Sequence, residues 1–252
     1  MNYPMNITDG SVRIEPQMSL PEDEVHLWRI DLEKVSAEQE KWRPLLSPDE
    51  GARADRFHFS RDRNCFTATR ALLRTILAGY LASEAKELVF RYSEKDKPSL
   101  SRGSGGDPLQ FNVSHSGAMA LLAFARNRAL GVDVEKIREN ADQEAIARRF
   151  FSDHEQDQLA ALPPAEKSLG FFRCWTRKEA YIKATGEGLS LPLHQFDVSL
   201  KPGDTNALLS TRSDAAEASL WSLQDVPAGE GYVGAVCVRG HGWQLRCEPL
   251  SP

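Results

Sequence analysis

The chain has 252 residues, 41% hydrophobic and 27% charged, with a formal net charge of −5. That length can fill one large domain or two small ones around a substantial core. The acidic balance argues against a general nucleic-acid binder, and the longest apolar run, Ala118–Ala125, is too short to cross a membrane.

The opening MNYPMNITDGSVRIEP has no basic start followed by an apolar stretch, so no secretory signal is expected. Val25–Leu32 alternates apolar and polar residues, the pattern of a half-buried strand. From Ser47 to Leu81 the chain reads as helix. Ser47 suits the cap, Pro48 the first turn, and Asp49 and Glu50 the positive N-terminal end. A bend is expected near Phe57–Arg61. Beyond it, Phe66, Leu72, Leu73, Ile76, Leu77 and Leu81 fall on one core-facing stripe.

SEKDKPSLSRGSGGDP reads as a loop. LQFNVSHSGAMALLAFA reads as two strands about a turn at Ser114–Gly117, and ALGVDVEKI as a further strand. QEAIARRFFSDHEQDQLAAL should form two helical pieces broken near Ser152, the second ended by Pro163 and Pro164. SLGFFRCWTRKEAYIKATGEG is a helix closed by Gly186 or Gly188. After Leu200 the pattern turns strand-like in NALLST, ASLWSLQ, YVGAVCV and WQLRCEPL. The result is a mixed α+β chain. A boundary near Asn127 divides it almost evenly into 1–127 and 128–252, with no sequence repeat to relate the two parts.

Four cysteines, Cys65, Cys174, Cys237 and Cys247, form no CxxC pair and have no His cluster beside them. A zinc site or disulfide framework is therefore not expected, and scattered reduced thiols suit a cytoplasmic protein.

Three stretches carry chemistry. In GVDVE, strand alternation puts Val132 and Val134 on one face and Asp133 and Glu135 on the other. Two carboxylates on one face repel unless neutralised, and a hard divalent cation such as magnesium does so with oxygen ligands. A solvated polar face is the plainer reading of that strand alone. In WTRKEAYIK, Trp175, Glu179 and Lys183 are four apart and share a helical ridge. Glu179 would add a third carboxylate and Lys183 could reach a phosphate. Taken alone, an exposed Glu–Lys pair beside a core tryptophan is the plainer reading. FNVSHSG places Ser114 and His115 in a tight turn, where amides, a hydroxyl and an imidazole can meet phosphate oxygens. A serine hydrolase is disfavoured, because no GxSxG is present.

Together these stretches closely resemble the phosphopantetheinyl transferase family, in its long, Sfp-type branch. The resembling segments are KPSL, FNVSHSGAMALLAFA, GVDVEKI, RRFFSDHE and FFRCWTRKEAYIKATGEGLSLPL, between about Arg53 and Phe196. The resemblance implies two similar α/β-mixed halves forming a pseudo-twofold monomer, with coenzyme A in the cleft between them. It implies transfer of the 4'-phosphopantetheine arm to a serine of an apo-acyl or peptidyl carrier, as in a holo-acyl-carrier-protein synthase. Asp133, Glu135 and Glu179 would hold Mg2+. Glu179 would also be the base toward the serine, in competition with a metal-bound water, and Lys183 would meet phosphate and assist the leaving group. Lys97, Ser114 and His115 would contact the coenzyme. Arg53 and Arg70 are the choices for its 3'-phosphate, while Cys65 stands where some relatives carry arginine. Positions between Glu139 and Leu162 would face the carrier. Two rivals are a non-catalytic coenzyme A or nucleotide-binding module and a nucleic-acid binder built on RADRFHFSRDR, the latter opposed by overall charge.

Overall fold

The computed structural model describes residues 6–8, 11–13, 18–36, 39–95, 97–101, 109–138 and 142–250. Residues 96 and 102–108 of the expected loop and the start of the expected carrier-facing stretch, 139–141, lie outside the described residues.

The N-terminal part begins with the short hairpin β1 (Asn6–Thr8) and β2 (Ser11–Arg13), then β3 (Glu24–Asp31), α1 (Leu32–Val35) and α2 (Gln39–Trp42). The expected long helix is two pieces, α3 (Pro48–Asp55) and α4 (Ser60–Leu81), separated at the predicted bend. A hairpin of β4 (Phe90–Tyr92) and β5 (Pro98–Leu100) occupies part of the expected loop. β6 (Leu109–Ser116) and β7 (Met119–Arg126) follow. The C-terminal part holds β8 (Leu130–Lys136), α5 (Gln143–Phe150), α6 (Asp153–Ala161) and α7 (Pro164–Thr185). It continues through β9 (Phe196–Val198), β10 (Leu208–Thr211), β11 (Trp221–Val226), β12 (Tyr232–Arg239) and β13 (Gln244–Leu250).

Two sheets and two long helices stack in layers. The first sheet has the order β13-β3-β7-β6 and the second β11-β12-β8. α4 covers the outer face of the first sheet. Its Leu72, Leu73, Ile76 and Leu77 share a core with Trp28, Ile30, Phe111 and Phe124. α7 covers the second sheet, its Ala180, Tyr181 and Ala184 joining Leu223, Ala235 and Cys237. Between the sheets lies a third core of Val25, Leu27, Leu121, Val132, Val134 and Val236. β3 is thus buried on both faces rather than on one, because the second sheet covers the side that sequence alternation leaves open.

Two local readings change. The hairpin turn lies at Gly117–Ala118, not at Ser114–Gly117, since the β6–β7 ladder runs unbroken to Ser116 and Met119. Gly117 takes a φ of +58°, which a two-residue hairpin needs and glycine adopts without strain. Ser114 and His115 are therefore strand residues. Ala218–Leu220 belongs to a single helical turn, Glu217–Leu220, and the strand starts only at Trp221.

β13 does not stay with its own part of the chain. It pairs parallel with β3, so the chain's last strand completes the first sheet.

Candidate active site

The two sheets meet at β6 and β8. In the β8–β12 ladder, Asp133 and Glu135 sit opposite Ala235 and Val233. The N–H groups of the even-numbered residues of β8 turn to its other edge, where no strand among the described residues pairs with them. Side chains from the inner face of β6 take those bonds. Asn112 Oδ1 accepts from Val132 N at 2.9 Å, Ser114 Oγ from Val134 N at 3.4 Å, and Ser116 Oγ from Lys136 N at 3.2 Å. Each bond joins a residue of β6 to the one twenty positions later, so the strands run parallel in register. A sheet edge buried without partners would be costly, and this row removes the cost.

The same serines reach the acidic residues. Ser114 Oγ donates to Asp133 Oδ1 at 2.7 Å, and Ser116 Oγ donates to Glu135 Oε2 at 2.7 Å. Asp133 is 3% exposed, and its Oδ2 is buried with no hydrogen-bond partner among the described residues.

α7 brings the rest. Gly131 makes its approach possible: a Cβ there would lie 2.2 Å from the Ala180 carbonyl oxygen and 2.4 Å from the Ala184 nitrogen. The helix backbone rests on the strand at that point. Trp175, Glu179 and Lys183 then share one half-buried ridge, as the spacing predicts. Lys183 does not pair with Glu179. Its Nζ donates to Asp133 Oδ1 at 2.6 Å, to Ser114 Oγ at 3.0 Å and to the Val132 carbonyl at 3.3 Å.

The electrostatics follow from crowding. Burial, with the Asp133 charge second, lifts the Glu179 carboxyl to about 7, although Lys183 pulls it down. Burial also raises Glu135, helped by Asp133 and opposed by the Ser116 hydrogen bond. Lys97 donates to the Lys183 and Leu130 carbonyls, tying α7 to β8, and burial beside the Lys183 charge holds its ammonium below the usual range. Among the described residues, no three His, Cys, Asp or Glu side chains are already gathered as a metal cage; Lys183 lies on Asp133 instead.

His115 is exposed, on the strand beside Ser114. Arg53 and Arg70 form a separate group. Arg70 is an ion-pair partner of the buried Glu50 at 3.3 Å and donates to the Tyr92 hydroxyl at 3.1 Å. Both arginines lie over the Phe66 ring. Phe57, one of the aromatics of the nucleic-acid rival, packs on the same ring at 5.3 Å. Of the expected carrier-facing stretch, residues 142–162 form α5 and α6. With α7 they enclose a groove of about 550 Å³ whose lining includes Ala147, Leu159 and Phe171.

Sequence reading singled out neither Asn112 nor Ser116, nor Tyr232, whose hydroxyl accepts from Ala118 N at 3.0 Å across the same joint. The signal was present for the first two: Asn112, Ser114 and Ser116 repeat at the strand period of two on a buried face.

An acidic pair on a strand edge is thus met by a carboxylate and a lysine from a helix pressed on the same strand. Residues 129–237 match the profile of the 4'-phosphopantetheinyl transferase superfamily, and residues 33–127 match a 4'-phosphopantetheinyl transferase N-terminal profile. The chain is 42% identical over 229 residues to the 4'-phosphopantetheinyl transferase HetI of Nostoc sp., covering 91% of this chain and 93% of that one. It is 31% identical to the 4'-phosphopantetheinyl transferase Sfp of Bacillus subtilis over 163 residues, 65% of this chain and 70% of that one. To the human L-aminoadipate-semialdehyde dehydrogenase-phosphopantetheinyl transferase it is 27% identical over 77% of this chain and 67% of that one. This chain belongs to the 4'-phosphopantetheinyl transferase superfamily.

Proposed function

We propose that the chain transfers the 4'-phosphopantetheine group of coenzyme A to the serine of an apo-acyl or peptidyl carrier protein, releasing adenosine 3',5'-bisphosphate. One observation supports this beyond the family match: Lys183, Asp133 and Ser114 bond to one another in the joint between the sheets, with Glu179 one helical turn from Lys183. The carrier serine oxygen forms a bond to the phosphorus attached to pantetheine, and the bond from that phosphorus to the bridging oxygen breaks. Glu179 would take the serine proton; burial and the Asp133 charge raise its carboxyl to about 7 with no cation beside it, and a bound cation would draw it back down. Lys183 supplies positive charge where the leaving oxygen becomes negative.

The acidic residues suit magnesium. Asp133, Glu135 and Glu179 are hard oxygen donors; the Asp133 charge adds to burial in raising the carboxyls of both glutamates, and Asp133 Oδ2 is buried with no partner among the described residues. These three would hold the ion, which when bound supplies charge to the pyrophosphate. Lys97, Ser114 and His115 would contact the coenzyme, with Arg53 and Arg70 toward its 3'-phosphate. In this reading residues 1–127 and 128–252 are the two halves, with β13 returned to the first. The enzyme acts as a monomer in the cytoplasm, and its finer label is holo-acyl-carrier-protein synthase.

An intact-mass assay with coenzyme A, magnesium and a panel of apo-carriers tests this. The expected result is a gain of one phosphopantetheine, abolished by EDTA or by Glu179→Gln and slowed at least ~100-fold by Lys183→Met. Tight coenzyme A binding with no transfer to any carrier would leave a non-catalytic binding module.

A further inference from the structure

The row of side chains between β6 and β8 does more than close a sheet edge. Accepting an amide proton would suffice for that, and Asn112 does only this toward β8. The two serines do a second thing. A hydroxyl has one proton to give, and each serine gives it to a carboxylate while its oxygen accepts from β8. Ser114 gives its proton to Asp133 and also meets Lys183. Ser116 gives its proton to Glu135 and accepts from Lys136 N. With both roles in use, the Ser116 hydroxyl is fixed in rotation, and so is the carboxylate oxygen it holds.

The outer end of the row is also anchored. Beyond Ser116 the hairpin turns, and the Tyr232 hydroxyl accepts from Ala118 N. Tyr232 is the ladder partner of Lys136, so the strand that carries Glu135 is joined to the hairpin tip from both sides.

We infer that Ser116 is a positioning residue: its hydroxyl, clamped between Glu135 Oε2 and Lys136 N, keeps the Glu135 carboxylate turned toward Asp133 for cation binding. This rests on the reading that Asp133, Glu135 and Glu179 hold a divalent cation. Ser116 bonds neither Lys183 nor Asp133, so it serves the ion's seat and not the transfer step.

The test compares the full-length wild type with Ser116→Ala, Ser116→Thr and Asn112→Ala, all with coenzyme A bound. Magnesium affinity is read by calorimetry, turnover at saturating magnesium by intact mass, and protection of the Lys136 amide by hydrogen exchange. Ser116→Ala should weaken magnesium binding at least ~10-fold, the scale of losing an outer-shell partner. It should speed Lys136 exchange and leave saturated turnover within about threefold. Ser116→Thr keeps the hydroxyl and should restore both. Asn112→Ala frees the Val132 amide but touches no carboxylate, so its magnesium affinity should stay within about twofold. Unchanged affinity in Ser116→Ala, equal weakening in Asn112→Ala, or failure of a folded Ser116→Thr to recover would overturn the inference. Absence of magnesium binding in the wild type would instead bring down the cation reading on which it stands.

Discussion

The two halves use one device twice. In the first, Ser47 starts α3 and Glu50, three residues on, accepts from Ser47 N at 3.0 Å. In the second, Ser152 starts α6 and Glu155 accepts from Ser152 N at 2.9 Å. Each is the glutamate of a capping box, each is almost wholly buried, and each is held by a cation from the 22-residue helix that follows. Arg74 meets Glu50 at 2.6 Å, and Lys178 meets Glu155 at 2.7 Å. The difference lies in what the long helix has left. α4 spends Arg70 and Arg74 on Glu50. α7 spends only Lys178 on Glu155, and its next ridge, Glu179 and Lys183, faces the joint between the sheets. Similar frames thus carry unlike loads: α4 braces its glutamate with two arginines, whereas α7 braces with one lysine and sets Glu179 and Lys183 at the joint.

The contact of α7 with β8 has the largest expected effect. Gly131→Ala puts a Cβ into the Ala180 carbonyl, and backbone cannot yield as a side-chain tip can. It should cost about 3 kcal/mol, at the upper end for overpacking, and abolish transfer. A urea midpoint within error of the wild type would show that the helix does not rest on the strand.

Next come the glutamates. Glu50→Gln and Glu155→Gln each leave a buried cation without its counter-ion and should each cost about 3 kcal/mol. Their kinetics should part. At a temperature where both remain folded, Glu155→Gln should lower kcat ~10-fold by loosening α7, whereas Glu50→Gln should shift at most the KM for coenzyme A through Arg70. Equal losses of kcat would erase the distinction between bracing and placing.

Acid should weaken the second half through Asp197. Burial works against ionising Asp197, but bonds from Ser152, Ser210 and Arg212 outweigh it and hold the carboxyl at about 2. A folded-state pKa below the unfolded value of about 3.9 means stability present above that pH and lost as it falls toward 2. The contribution is about 2 kcal/mol. Asp197→Asn should flatten that part of the stability curve between pH 4 and 2, measured by denaturant titration. A parallel curve would remove Asp197 from the second half's cap.

The smallest effect concerns how the long helices end. α7 stops at Gly186 with φ +78°, α4 at exposed Ala82 with φ +50°. Alanine pays for the left-handed turn where glycine does not, so Ala82→Gly should stabilise by about 1 kcal/mol. A loss on calorimetric melting would show that the turn at Ala82 carries no strain.

Much of this was legible in the chain. The bend after α3, the break at Ser152, the stop at Gly186 and the opposed faces of GVDVE all stand where local chemistry puts them. What escaped depends on distant partners. Ser114 and His115 read as a turn because polar residues in a strand suggest one, yet Ser114 is buried against β8. Nothing in the local sequence shows that Lys178 and Arg177 meet Glu155 and Asp225. The pairing of β13 with β3 spans nearly the whole chain, and no local pattern encodes it.

That last pairing sets an order of events. During synthesis, β3, β7 and β6 leave the ribosome early, but the strand that covers the free edge of β3 is made last. Until then β3 offers an open row of amides and carbonyls along a strand that carries the apolar side chains of Val25, Leu27, Trp28 and Ile30. Such an edge invites pairing with other chains. A nascent chain is therefore most vulnerable while its first sheet waits for its last strand, and a product shortened before Gln244 would never leave that state.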